Sequence, residues 1–288
     1  MISRKFTAMK KLLFLILLFP TLLQAQHDWN RVKPVRLAAP QWNAPAPTKP
    51  ARNQILKQVI MQANQITDGY EWRVNNALSD YFWSIPNTFG SKSPALPATY
   101  PAFYNMHTVT LAWHDKGIVY YVYSDSLLFV ADSASGDVHC AYDLGAYMNS
   151  PATSAGEKQF TLQEIRFARL EDSVLYIAAF HNTYAKSSGG QNGYITAIHI
   201  GTHQVKWRSA ALVNNASTFV LRNGYLICGY GFTAEPDFIY VLNTATGAAV
   251  ACLPVKSGPE TILEKGNKLY VRTYNTDYVF EMKLPGKK

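Results

Sequence analysis

Beyond residue 107 the chain reads as short apolar runs, rich in Val, Ile, Leu and Tyr, separated by clusters of Gly, Asn, Asp, Ser and Thr. Runs of this kind, bounded by turn residues, specify β-strands. They also repeat. Leu128-Phe-Val-Ala-Asp132-Ser-Ala-Ser-Gly136-Asp-Val138 recurs as Ile195-Thr-Ala-Ile-His199-Ile-Gly-Thr-His203-Gln-Val205 and as Ile239-Tyr-Val-Leu-Asn243-Thr-Ala-Thr-Gly247-Ala-Ala249. A fourth copy, Val279-Phe-Glu-Met-Lys283-Leu-Pro-Gly-Lys287, follows. Each is a strand, a tight turn and a second strand. The equivalent positions Asp132, His199, Asn243 and Lys283 lie 67, 44 and 40 residues apart, and the long first interval contains Gly- and Ser-bearing insertions at 149–158 and 185–193. A second register keeps step: Val119-Tyr120, Leu175-Tyr176, Leu226-Ile227 and Leu269-Tyr270 each follow a turn, Lys116-Gly117, Asn223-Gly224 and Gly266-Asn267 among them. Four strands in about 40–45 residues is the unit of a propeller blade. The pattern predicts an all-β, β-propeller-like domain of about four blades over 108–288, the last lacking its outer strand.

A sheet that ends one strand short presents an open edge, and open edges pair. The favoured expectation is closure within the chain, with residues 99–104 supplying the strand. The alternative is an open arc completed by another subunit.

The preceding residues have a different grain. Lys10 and Lys11 before the apolar run Leu12–Leu23, with Ala25 as a small residue at a cleavage point, make 1–25 an export signal. The run is too short for a membrane span, which needs about 20 apolar residues. Residues 26–50 carry five prolines and predict an extended linker, with Trp29 and Trp42 as anchors docking back on the domain. Residues 51–86 predict a helical segment. Ile55, Leu56, Val59, Ile60, Ala63 and Ile66 share one face, and Val74, Leu78, Tyr81 and Phe82 form a second stripe. Residues 87–107 read as a connecting loop.

The repeat has a specific likeness. Strand, Asp or Asn, three residues including Thr or Ser, Gly, then Val and sometimes Trp resembles the quinoprotein-type (PQQ-like) β-propeller repeat. The nearest copies run from Ile195 to Trp207 and from Val241 to Gly247. The resemblance spans Thr108–Lys283 in degenerate form and implies a propeller scaffold. Its relatives include quinone-dependent dehydrogenases, which hold quinone and calcium in a larger ring, and the propeller scaffold of outer-membrane barrel assembly. Four repeats are too few for the cofactor ring, and Cys140, Cys228 and Cys252 form no adjacent pair, so no cofactor is expected. These three cysteines sit in or beside strands, as small buried hydrophobes do.

Candidate chemistry is sparse. His199 and His203 are four apart, a metal-ligand spacing on a helix but not across a β-turn. Asp125, Asp132 and Asp137 lack the alternation of a calcium loop. Asp132 and Asn243 instead suit turn-capping. Ser187–Gly193 lacks the ending of a phosphate loop, and no Gly-x-Ser-x-Gly or His-Glu-x-x-His occurs. No catalytic or metal residue is assigned. The longest insertions, 149–158 and 181–192, are where a β scaffold carries function, and His181, Asn182, Tyr184 and Gln191 are the candidate ligand-binding residues.

Losing Arg4, Lys5, Lys10 and Lys11 with the signal, and no acid, lowers the formal charge from +8 to +4, with no basic cluster left to suggest nucleic acid. The expected function is an exported (secreted or periplasmic), non-enzymatic repeat protein that binds a protein or a cell-envelope component such as a glycan, with oligomerisation open through an unpaired blade edge. The alternative is an enzyme, a quinone-dependent dehydrogenase or a hydrolase, with its site at the channel mouth.

Overall fold

The computed structural model describes residues 29–45, 55–63 and 101–283. Two early strands, β1 (Val35–Arg36) and β2 (Leu56–Ala63), and a short β3 (Phe103–Tyr104) precede the repeats. Blade I is β4 (His107–Asp115), β5 (Ile118–Tyr123), β6 (Leu127–Asp132) and β7 (Val138–Asp143). A connector with the one-turn helix α1 (Gly145–Met148) leads to blade II: β8 (Glu164–Glu171), β9 (Val174–Phe180), β10 (Tyr194–His199) and β11 (Gln204–Arg208). Blade III is β12 (Val220–Arg222), β13 (Tyr225–Tyr230), β14 (Phe238–Asn243) and β15 (Ala249–Pro254). Blade IV is β16 (Pro259–Lys265), β17 (Lys268–Thr273) and β18 (Thr276–Met282). Every blade is an antiparallel meander.

Turn chemistry sets the hairpins. Lys116-Gly117, Asp172-Ser173 and Asn223-Gly224 take positive φ at both turn positions, the twist that joins antiparallel strands tightly. The repeated motif forms the third hairpin of blades I to III. Asp132 Oδ1 accepts the Ala134 and Ser135 amides at 2.8 and 2.7 Å, Asn243 Oδ1 the Ala245 amide at 2.9 Å, and His199 Nδ1 the Thr202 amide at 3.2 Å. Gly136, His203 and Gly247 then take positive φ at the same place. The two histidines are thus turn residues, and His203 Nδ1 also meets Tyr142 Oη of blade I at 3.1 Å.

The missing strand of blade IV comes from this chain, as favoured, but from a different segment. β2 pairs antiparallel with β18, from Leu56 opposite Met282 to Ala63 opposite Thr276. The helix expected over 52–66 is therefore corrected to a strand where it is described, and its continuation to residue 86 lies outside the described residues. Leu56, Val59, Ile60 and Ala63 fit a helical period, but only Leu56 of β2 is buried. The unpaired N–H and C=O groups of β18 outweigh a weak local preference. Phe103–Tyr104, offered as the closing strand, pairs instead with the start of β4.

The proline-rich stretch is a strap across blades I and II, with both tryptophans docked. Trp29 is buried, stacks on Phe129 at 5.6 Å and donates from Nε1 to Gly136 O at 3.2 Å. β1 adds in parallel to β7, and Asn43 Nδ2 donates to the Arg208 and Ser209 carbonyls at 2.9 Å each. Trp207 plays the part of Trp29 between blades II and III. Its indole N–H reaches Thr244 O at 2.9 Å, and its ring lies where a Cβ on Gly247 would stand, 2.5 Å from Cε3.

Apolar packing runs blade to blade. One buried cluster joins I, II and III, and a second joins III and IV. The other face of blade I packs on Trp29 and Tyr104. The first strands of all four blades converge on a chain of ion pairs. Arg169 of β8 meets Asp115 of β4 at 2.9 Å and Glu264 of β16 at 3.6 Å, and Arg222 of β12 meets Glu264 at 3.5 Å. These strands therefore line the axis. All three cysteines are buried thiols, and burial pushes the Cys140 pKa up to about 12.

Candidate functional site

An antiparallel meander places its first and third turns at one end of the blade and its middle loop and exit connector at the other. The tight hairpins and the capped motif turns share one end. The opposite end collects Ser124–Ser126, 144–163, 181–193, 209–219, 231–237 and 255–258. Both insertions singled out from sequence fall on this loop-bearing face, and they touch. Thr153 donates its amide to Ser187 O at 2.9 Å, and Ser150 Oγ donates to Gln191 O at 3.0 Å.

The candidate residues there have unequal roles. His181 is buried, clasped to Asn192 by its own amide (2.8 Å to Oδ1) and its own carbonyl (3.0 Å from Nδ2). Its Nε2 lies 2.8 Å from Ser188 Oγ, which donates to Ala185 O at 3.2 Å. The direction of the Nε2–Oγ hydrogen bond follows the ring tautomer. Burial lowers the His181 pKa to about 4, with the Thr183 backbone opposing the shift. The Ser–His pair is a clasp for the loop. Gln191 also faces inward. Turned to satisfy its neighbours, its amide nitrogen donates to Tyr194 Oη at 2.6 Å, Asn43 O at 3.0 Å and Trp42 O at 3.2 Å. Asn182 is exposed. Tyr184 lies edge-on to Phe232 at 5.0 Å, with Lys186 Nζ 5.4 Å from its ring. The structure thus brings the four together on one loop but leaves only Asn182 and the Tyr184 edge turned outward.

Several residues on this face carry no motif. Glu235 accepts the Ala185 amide at 2.7 Å and the Tyr230 hydroxyl at 2.6 Å, tying the blade III loop to the blade II loop. Asp237 sits beside it with Oδ1 buried, and burial together with the Glu235 charge raises its pKa to about 6. More telling are the exposed apolar tips. Met106 is 95% exposed, Tyr274 77%, Phe103 60%, Phe160 56% and Leu162 47%. All five lie at the loop-bearing end. The blade I and II loops near four of them are joined: His107 Nδ1 meets Ser124 Oγ at 3.1 Å, the Ile165 amide donates to Asp125 O at 3.0 Å, and Leu162 bridges to Asn149. Sequence reasoning passed over them because a lone apolar residue in a loop has no periodicity to mark it.

Asp115 and Glu264 already take arginine partners, and no three His, Cys, Asp or Glu side chains cluster as metal ligands among the described residues. Nor is any helix among those residues long and apolar enough to cross a membrane.

No protein-family model and no curated protein matches the chain. Among solved structures, the computationally designed Ika8 protein is similar at 15% identity and a TM-score of 0.40, over 61% of this chain and 46% of its own. BamB from Moraxella catarrhalis is similar at 17% identity and a TM-score of 0.34, over 58% and 56%. A quinohemoprotein alcohol dehydrogenase from Pseudomonas putida HK5 is similar at 15% identity and a TM-score of 0.37, over 56% and 27%. This chain therefore spans about half the length of the first of these. The likenesses are shallow, and the blade architecture rests on the strand order and the axial ion pairs.

Proposed function

We propose that this chain is an exported, non-enzymatic scaffold of PQQ-like repeat type whose loop-bearing face binds a protein partner. The observation that carries the reading is where the apolar side chains stand in water. Phe103, Met106, Phe160, Leu162 and Tyr274, the five most exposed large apolar side chains among the described residues, stand at one end of the blades, and exposed apolar residues on one face mark interaction surfaces. Three polar side chains of the same loops hold those loops together. His181 holds Ser188, Glu235 holds Ala185 and Tyr230, and Gln191 holds the strap. Rigid loops presenting aromatic and methionine tips suit recognition, since such anchors lose little entropy on docking.

The test is capture from the native envelope after light crosslinking, followed by reconstitution with the purified partner. The combined variant Phe103→Ser, Met106→Ser and Phe160→Ser is expected to keep the Tm and weaken the complex at least tenfold. Undiminished binding by that variant overturns the assignment of the face. Binding of envelope glycans with no protein partner overturns the partner class.

A further inference from the structure

Arg208, at the end of β11, has no acidic partner among the described residues. Its guanidinium lies 3.9 Å from the Tyr194 ring centre, 4.6 Å from that of Trp42 and 5.0 Å from that of Tyr147. Nη1 reaches the Gln41 carbonyl only at 3.5 Å. Nε and Nη2 are buried and, among the described residues, donate to nothing. Burial lowers its pKa to about 10, with the Tyr194 and Tyr147 phenols opposing the shift, which leaves it protonated at neutral pH. Ring faces supply part of the lost hydration, but they accept no hydrogen bond along the Nε–Nη2 edge. That edge is the one a carboxylate takes with two parallel bonds.

The cover over this edge is the strap, not the blade. Trp42 and Gln41 belong to a segment held by hydrogen bonds: Asn43 to the Arg208 and Ser209 carbonyls, Ala44 O to the Ala211 amide, the Tyr194 hydroxyl to Asn43 O at 3.0 Å, and the Gln191 amide to two strap carbonyls. Tyr147 on α1 and Tyr194 on β10 stay with the folded blades. Lifting Gln41–Asn43 would leave a slot with an arginine fork at its base and flat rings on its sides, a shape for a planar anion.

We propose that Arg208 is the recognition cation of a carboxylate-binding slot, closed in the free protein by the strap residues Gln41–Asn43. A carboxylate supplies the acceptors that the fork lacks, so it competes with the strap and not with the blade. Binding therefore exchanges the ring face of Trp42 for a charge-assisted pair. The ligand is a carboxylate group, free or carried on a peptide.

The experiment measures hydrogen exchange of the 41–44 backbone amides, together with the Tm, in sodium acetate against sodium chloride of equal ionic strength at pH 7.5. Acetate is expected to speed strap exchange severalfold and to raise the Tm saturably, while Arg208→Gln shows neither response. Arg208→Lys keeps the charge, loses the fork and is expected to lose most of the effect. A short peptide with one glutamate, compared with its glutamine counterpart, separates the sources. A response to the glutamate peptide assigns a peptide ligand, and a response to acetate alone assigns small free acids. Equal acetate responses in the wild type and Arg208→Gln overturn the proposal. Should Arg208→Gln fail to fold, unchanged strap exchange in the wild type overturns it as well.

Discussion

Replacing Arg169 by Met tests whether the four blades are held together at the axis by charge. Methionine keeps the length and apolar stem of the side chain and removes the guanidinium. Asp115, whose side chain is 5% exposed, then loses its 2.9 Å partner, and its Oδ1 already lacks one. Water cannot make up the loss, and stripping one member from a buried pair costs about 3–5 kcal/mol. The more open contact to Glu264 adds at most about 1 kcal/mol. In a domain of this size each kcal/mol moves the Tm by about 2–4 °C, so a fall of roughly 6–24 °C is expected. The decisive comparison is the double variant Asp115→Leu with Arg169→Met. An apolar pair of similar volume has no charge to desolvate and is expected to recover most of the loss, giving a coupling of about 2–4 kcal/mol. Urea unfolding reads both, with an unchanged m-value marking a pure stability effect. A loss under about 1 kcal/mol in the single variant, or a double variant as weak as the single, would refute the argument that this pair is dehydrated and joins blades.

The other consequences are smaller in scope. Gly247→Ala forces a Cβ to within 2.5 Å of Trp207 at a φ of +71° and should cost at least about 2 kcal/mol in urea unfolding; a neutral result would mean the II–III junction has slack. His181 has a folded pKa of about 4, below its usual 6.5, so the unfolded chain binds the extra proton between those values. Stability is then full above pH 6.5 and falls by roughly 3 kcal/mol as pH drops toward 4, and His181→Gln should remove that slope. Asp237 runs the other way. Its pKa of about 6 lies above the usual 3.8, so the stability it gains from protonation is present below 3.8 and lost as pH rises through 6. Asp237→Asn should raise the Tm at pH 7.5 and leave it little changed near pH 4.

Much of the blade was readable from residue patterns because the forces that make it are local. Apolar runs set strands, paired positive-φ turns such as Asn223-Gly224 set hairpins, and the Asp132 and Asn243 side chains cap turns two and three residues ahead of them. Those interactions close within a few residues, so spacing in sequence is spacing in space. The same locality placed His181 and Gln191 on one loop while leaving open whether they face inward.

What completes the molecule is long-range, and there the pattern misled or said nothing. Residues 56–63 fit a helical stripe and became a strand because the edge of β18, more than two hundred residues later, offered hydrogen bonds that no helix face could match. A proline-rich stretch read as a linker became a strap because Gly136 O, Arg208 and the blade edges accept its tryptophans and backbone. The axial pairing of Asp115, Arg169, Arg222 and Glu264, and the ring cage around Arg208, exist only once separate blades are stacked. Charge and ring contacts fall off over a few ångströms, so such sites are written in tertiary proximity and leave no period in the sequence.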